Sequence, residues 1–389
     1  YRNLLMKTLN ETTLRDLPKA DIHVHLDGSL RLSSLIELAK EQSLELPSYT
    51  EAGLRELVFK DQYKDLPEYL QGFQFTCGVM QDLQALERVA YEFAWDAYHD
   101  GVVYIEPRYS PDLLKTDKTK SHEVITSIDK GLKRASLEIN ALIDKVNINL
   151  AQEKKPQHPA FVYSHIICAM RMWDPQQSLE TIQSAILTKE KHNLPIMAID
   201  LAGPENGFPA IDHADAYTYA HKNFLYKTVH AGEAYGPSSI FQAITNLYAD
   251  RIGHGFHLFN KEMINTKDPA KAENYVNNLV QYIAEKRITL EVCLTSNLQT
   301  LPELNNDPAN HSLAKMLDNG ISVAICTDNT LVSNTSVTKE LMLAVKTFNL
   351  TNKTIKKLIM YGIKRSFYPG SYLEKKKYID QCSKYYDFI

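Results

Sequence analysis

Short apolar runs alternate with longer amphipathic stretches along this chain. Eight runs read as strands: 20–26, 102–109, 162–170, 196–201, 225–230, 251–253, 288–292 and 322–327. Most are rich in Val, Ile or Tyr and short enough for parallel strands buried on both faces. Between them, 83–98, 121–142, 178–191 and 272–286 place apolar residues near helical spacing. Gly131 interrupts the second of these and weakens it. Repeated strand–helix units imply a parallel sheet. Eight of them predict a closed (β/α)8 barrel of the TIM type, which uses about 250 residues. The surplus length is assigned to 48–76, to 147–159 and to terminal helices. The stretch 147–159 carries lysines and two prolines and reads as an exposed loop. Neither a solenoid-type repeat nor a domain-sized linker divides the chain, so 1–389 reads as one domain. An open doubly wound sheet would want a Gly-rich phosphate turn after the first strand. His25-Leu-Asp-Gly-Ser29 stands there instead.

The placement of histidines suggests chemistry. His23 and His25 close the first strand, and residues i and i+2 of a strand face the same way. His230-Ala-Gly-Glu233 ends the fifth strand, Gly253-His-Gly255 the sixth, and Thr327-Asp328 the eighth. Parallel barrel strands all end on one rim, where this fold builds its active sites. Three imidazoles and a carboxylate suit a Zn²⁺ shell, and Glu233 and His254 remain for proton transfer. Each piece has a plainer reading. His230 could cap a helix, Glu233 could sit in a helix first turn, His254 could be a turn residue, and Asp328 could be an N-cap. Four such coincidences on one rim favour a site over its parts. Of the other histidines, only His257, close to His254, is left open; the rest read as structural.

Composition narrows the partners. Net charge is −4, and no long basic run stands out, which excludes a bulk electrostatic role on nucleic acid. The five cysteines form no C-x-x-C pair, which suggests reduced thiols in a cytoplasmic protein. Cys168, Cys293 and Cys326 lie in or beside apolar runs and read as small core residues. No apolar run of about 18 residues predicts a membrane span. Residues 1–16 are polar and mixed and lack the apolar core of a signal peptide; Tyr at position 1 leaves room for sequence upstream.

Taken in order, the motifs resemble those of the adenosine deaminase family of the amidohydrolase superfamily. They are Asp21-Ile-His-Val-His-Leu-Asp-Gly28, Gly101-Val-Val-Tyr-Ile-Glu-Pro-Arg-Tyr-Ser-Pro111, Asp200-Leu-Ala-Gly203, His230-Ala-Gly-Glu233, Gly253-His-Gly255, Ser296-Asn297 and Thr327-Asp328. The resemblance runs from about Leu17 to beyond Ser366. It implies one Zn²⁺ per chain, held by His23, His25, His230 and Asp328. By the same resemblance Glu233 would protonate purine N1, and His254 would help deprotonate the attacking water. The Gly203 N–H would meet purine N3, and Asp27 would hold the ribose hydroxyls beside His25. Leu66, Tyr69, Leu70 and Phe73 match an apolar gate helix. Asn329 stands where the family often has a second Asp, and Thr330 follows it rather than Pro. An Asn amide can donate to purine N7 at any working pH.

The implied reaction is hydrolysis of adenosine, and of 2′-deoxyadenosine, to inosine and ammonia. Zinc chemistry suits it, because displacing an amine from an aromatic ring needs a strong nucleophile at neutral pH. The expected partner is a small nucleoside, with no nucleic acid or membrane and with a monomer favoured. Alternatives are a relative acting on adenine, AMP or a 5′-modified adenosine, and an inactive adenosine-binding relative. A binuclear hydrolase would want a modified lysine at the end of the fourth strand, where Ile199–Gly203 has none. The H-x-E…P-C-x-x-C signature of cytidine-type zinc deaminases is absent.

Overall fold

The computed structural model describes residues 9–388. Residues 1–8 of the polar stretch 1–16 lie outside the described residues, and a helix, Glu11–Asp16, completes that stretch. Nine strands follow: β1 (Lys19–His25), β2 (Val102–Tyr109), β3 (Val162–Tyr163), β4 (His165–Met170), β5 (Ile196–Ala202), β6 (Tyr226–Ala231), β7 (Arg251–His254), β8 (Thr289–Val292) and β9 (Ser322–Ile325). Neighbours in the sheet follow chain order from β1 to β9, and every pairing is parallel. This is the (β/α)8 barrel the sequence predicts. The run 162–170 is split at Ser164, whose N–H donates to the Ile105 carbonyl. β3 and β4 thus form one stave, both on β2.

Backbone hydrogen bonds at the rim stitch the ring shut. Asp328 donates its N–H to the His23 carbonyl at 2.9 Å and accepts the His25 N–H at 2.7 Å. The resulting Val24–Asp328 bridge joins β1 to the segment after β9. Barrel closure and site assembly therefore share a backbone contact.

Helices wrap the barrel, and two of the four expected ones start earlier than apolar periodicity alone indicates. They span Pro175–His192 and Pro269–Lys286 rather than 178–191 and 272–286. In both an Asp cap accepts first-turn N–H groups and Pro occupies the first turn, so polar residues open the helix. The loop expected at 147–159 is a correction. The helix Ser121–Gln152 absorbs its first six positions, leaving a shorter connection. Asn147 clamps that connection, accepting the His158 N–H at 2.7 Å and donating to its carbonyl at 2.9 Å. Gly131 lies against the neighbouring helix Leu83–His99, where a Cβ would collide with the Glu87 carbonyl oxygen. Its place in the helix reflects close packing, not a break.

The surplus at 48–76 forms short helices, Glu51–Leu57 and Leu66–Leu70, and the start of Phe73–Val79. Those at 66–79 border the C-terminal mouth of the barrel. At the seam, Asn352–Arg365 packs on β1 and β9. The five cysteines are free thiols. Among the described residues, no helix is long and apolar enough to cross a membrane.

Candidate active site

The rim gathers the predicted histidines. His23 is fully buried, and its Nδ1 lies 2.7 Å from Glu291 Oε2. His230 places Nδ1 2.9 Å from Asp200 Oδ2. A carboxylate on Nδ1 fixes the proton there and turns the Nε2 lone pair outward, the arrangement that orients metal-binding imidazoles. Those carboxylates are anchored in turn. Arg108 reaches Asp200 at 2.9 Å and Glu291 at 3.0 Å, and Arg251 reaches Glu291 at 2.6 Å. Burial alone would raise the Glu291 carboxyl. The two guanidiniums outweigh it and hold the group well below the usual carboxylate range.

The outward nitrogens converge. His25 Nε2 lies 3.2 Å from His230 Nε2 and 3.4 Å from Asp328 Oδ1, and His23 Nε2 lies 3.5 Å from the same oxygen. Two donors at tetrahedral angles on a zinc ion, each at its usual bond length, stand about 3.3 Å apart. His23 Nε2 is buried with no hydrogen-bond partner, which is costly for a polar atom unless something else occupies its lone pair. Burial, with further contributions from neighbouring rings, pushes the His25 pKa well below its ordinary value. It keeps the ring neutral, as a metal requires. Ser296 Oγ donates to Asp328 Oδ2 at 2.6 Å, leaving Oδ1 toward the cluster. Four buried residues, His23, His230, His254 and Asp328, each offer an atom within 4.8 Å of the others. His254 is thus also close enough to be a donor, as the sequence reading did not foresee. Its engagements differ: Nδ1 meets the Asn297 amide at 3.2 Å, and Nε2 lies 3.8 Å from Glu233 Oε1.

A cavity of about 310 Å³ opens above the cluster. His25, Asp27, Leu66, Tyr69, Leu70, Phe73, Gly203, His230, Glu233, His254, Asp328 and Asn329 all line it. Every predicted site residue except the deeper His23 therefore meets this space. Asp27 is buried, and its Oδ1 has no partner. Desolvation pushes its pKa up to about 6. Gly203 adopts φ +99°, and a Cβ there would press on Met172 Sδ. The gate residues fall on two short helices rather than one, and Tyr69 does more than pack. Its hydroxyl contacts Ser333 Oγ at 2.7 Å and receives a hydrogen bond from Asn329 Nδ2 at 2.8 Å.

Several residues at the site had no predicted role. Glu205 follows β5, and its buried carboxylate accepts the backbone N–H groups of Gly232, Glu233, Ala234 and Tyr235 at 2.6–3.0 Å. It also accepts the Ser239 hydroxyl at 2.7 Å. One buried acid thereby shapes the turn that carries Glu233. Asp200, Ser296 and Asn297 belong to the motifs without an expected role of their own, and Glu291 lies in none of them. Its signal was an acid inside the apolar run Ile288–Cys293. His257 packs outside the cavity lining, 3.1 Å from Glu303. His165 is a buried structural residue between Tyr109 and Asp129.

Comparison with known proteins bears on the family and the fold. The profile of the adenosine deaminase family matches residues 18–385. The chain is 35% identical over 362 residues to a protein named probable adenosine deaminase from Dictyostelium discoideum, covering 93% of this chain but only 42% of that protein. It is 32% identical over 351 residues to an adenosine deaminase from Vibrio atlanticus, covering 90% of this chain and 94% of that one. Among solved structures, an amidohydrolase from Burkhoderia ambifaria with bound Zn superposes with TM-score 0.77 at 18% identity, over 98% of this chain and 95% of that one. The N6-mAMP deaminase of Arabidopsis superposes with TM-score 0.74 at 23% identity, over 96% and 99%. An adenine deaminase from Arthrobacter aurescens gives 0.73 at 22%, over 95% and 99%. At such identities these three speak for the fold alone. By the reach of the family profile and by its full-length relatives, this chain belongs to the adenosine deaminase family.

Proposed function

We infer that the protein is a zinc-dependent deaminase that converts adenosine and 2′-deoxyadenosine to inosine and ammonia. The observation that carries this reading is the orphaned His23 Nε2, buried at the convergence of His25, His230 and Asp328. We assign these four residues to one zinc ion and leave His254 to the reacting water. The ion, when bound, supplies activation of water at neutral pH.

The chain's own residues do the rest. Attack at purine C6 drives an electron pair onto N1, so an acid must stand there. Glu233 lines the cavity within 3.8 Å of His254, and Glu205 fixes its backbone. It would donate a proton at N1 and so prepare the ring for loss of ammonia. Asp27 Oδ1, buried and unpartnered, suits a ribose hydroxyl donor. Asn329 uses its amide nitrogen on Tyr69, and an amide nitrogen carries a second hydrogen. That hydrogen would donate to N7. Gly203 would bring its N–H to N3. Leu66, Leu70 and Phe73 would cover the base and exclude water.

Relatives of the fold include enzymes named for AMP-type and adenine substrates. Among the described residues that line the cavity, none is Lys or Arg, and Asp27 is an acid. A 5′-phosphate would find no cationic partner, while a free base would leave Asp27 unpaired. The test is ammonia release by the zinc-loaded protein from adenosine, 2′-deoxyadenosine, adenine and AMP. Highest kcat/KM on the two nucleosides supports the reading. Preference for AMP or adenine replaces the substrate and keeps the deaminase.

A further inference from the structure

A chain of hydrogen bonds behind His254 runs in one direction only. It starts at the Leu313 backbone N–H, which lies 3.0 Å from His311 Nδ1. A backbone N–H can only donate, so His311 Nδ1 must accept. His311 is buried, and desolvation lowers its pKa to about 3, which keeps the ring neutral. Its one ring proton therefore sits on Nε2, 3.1 Å from Asn297 Oδ1. That proton needs an acceptor, so the Asn297 oxygen faces His311 and its NH2 faces His254 Nδ1, 3.2 Å away. Asn297 is itself fully buried, so no water competes for either end of its amide. The orientation of the amide follows from its neighbours and not from choice. His254 Nδ1 must accept, which puts the ring proton on Nε2.

That nitrogen is the one turned to the cavity, 3.8 Å from Glu233 Oε1. The rings that bear the converging nitrogens are built the other way. His23 and His230 meet carboxylates at Nδ1, which puts their lone pairs on Nε2. Neighbouring imidazoles on one rim are thus set to opposite tautomers by what stands behind them.

We propose that Asn297 and His311 are positioning residues that hold His254 as a hydrogen-bond donor toward the attacking oxygen. The inference rests on the deaminase reading above and refines it. A donor on Nε2 stabilises charge that gathers on the oxygen as it attacks C6. It takes no proton in that step, in contrast to the general-base role expected for His254 from the family resemblance. It also sets His254 apart from the ligands, since Nε2–H has no lone pair for a metal.

The experiment reverses the polarity with isosteric comparisons, N297D against the wild type and H311E against H311Q. In N297D a carboxylate faces both rings, accepts from His311 and pulls the His254 proton to Nδ1. In H311E the side chain can no longer donate, so Asn297 must turn over. H311Q can accept the Leu313 N–H and donate to Asn297, and so preserves the direction. Ring-nitrogen NMR of the zinc-loaded protein, with ¹⁵N-labelled histidine, reads the tautomer directly and needs no turnover. The His254 signals are assigned by their loss in H254Q. We expect Nε2 protonated in the wild type and Nδ1 protonated in N297D. N297D should lose about 10²-fold in kcat with little change in KM. H311Q should turn over at least about tenfold faster than H311E. A wild-type His254 protonated on Nδ1 overturns the proposal, as does a switched tautomer in N297D at undiminished kcat. If H311E does not fold, the N297D arm decides alone. If no purine is turned over, the deaminase reading falls while the tautomer is still read.

Discussion

Tyr69 and Asn329 are joined by a hydrogen bond of 2.8 Å from the amide nitrogen to the phenol oxygen. The bond ties the covering helix Leu66–Leu70 to the loop after β9, and Ser333 completes the link. A residue read from the sequence as part of an apolar gate thereby orients the residue read as the N7 contact.

This link predicts a substrate signature. Asn329→Ala should narrow the preference for adenosine over its 7-deaza analogue, costing about 1–2 kcal/mol on adenosine alone. Tyr69→Phe should act in the same direction and more weakly, because it frees the amide without removing it. Steady-state kcat/KM on both substrates checks this. An equal slowing on both would return Asn329 to a purely structural role.

Glu233 and His230 should separate chemistry from metal. Glu233→Gln should keep its zinc and lose about 10²-fold or more in kcat. His230→Ala should lose zinc and turnover together. Metal analysis beside turnover decides, and a Glu233→Gln protein that loses metal would exchange the assigned roles.

Glu205 holds the turn that bears Glu233. Glu205→Gln replaces one accepting oxygen with a donor facing N–H groups, and should cost about 1–3 kcal/mol in stability. Turnover should fall while bound zinc remains, because the displaced part would be Glu233 and not the proposed ligands. Denaturant unfolding and metal content measure the two effects. Full stability in this variant would remove Glu205 from the account.

Glu340 gives a pH dependence away from the metal cluster. It accepts the Thr295 N–H and the Thr335 hydroxyl, and burial pushes its pKa up to about 6. The folded state therefore binds this proton more tightly than the unfolded chain. The resulting stability is full below the ordinary glutamate pKa and is lost as pH rises through about 6. Glu340→Gln cannot titrate. Its Tm relative to the wild type should rise between pH of about 5 and pH of about 7.5. A Tm difference that stays flat across this window would contradict the assignment.

Most of the barrel was legible because strands buried on both faces read as short, largely apolar runs, and the candidate site residues cluster at their ends. His23, His25, His230, Glu233, His254 and Asp328 all sit where strand ends put them. The supporting shell was not legible for a physical reason. His254 meets Asn297 across 43 residues and Asn297 meets His311 across 14, and such contacts leave no period in the sequence. Glu205 is similar, since it caps N–H groups 27–30 residues later. Glu106, Arg108, Arg251 and Glu291 did leave a trace, as charges within apolar runs. A buried charge needs a partner, so four of them within the apolar runs of three strands announce a network.

The central claim is one catalytic zinc per chain acting on adenosine. It is tested most directly by stripping the protein of metal and titrating zinc back while ammonia release from adenosine is followed. Turnover should rise in proportion to zinc and level off at about one equivalent per chain. Full turnover without metal, saturation only at about two equivalents, or no ammonia from adenosine at one equivalent would contradict it.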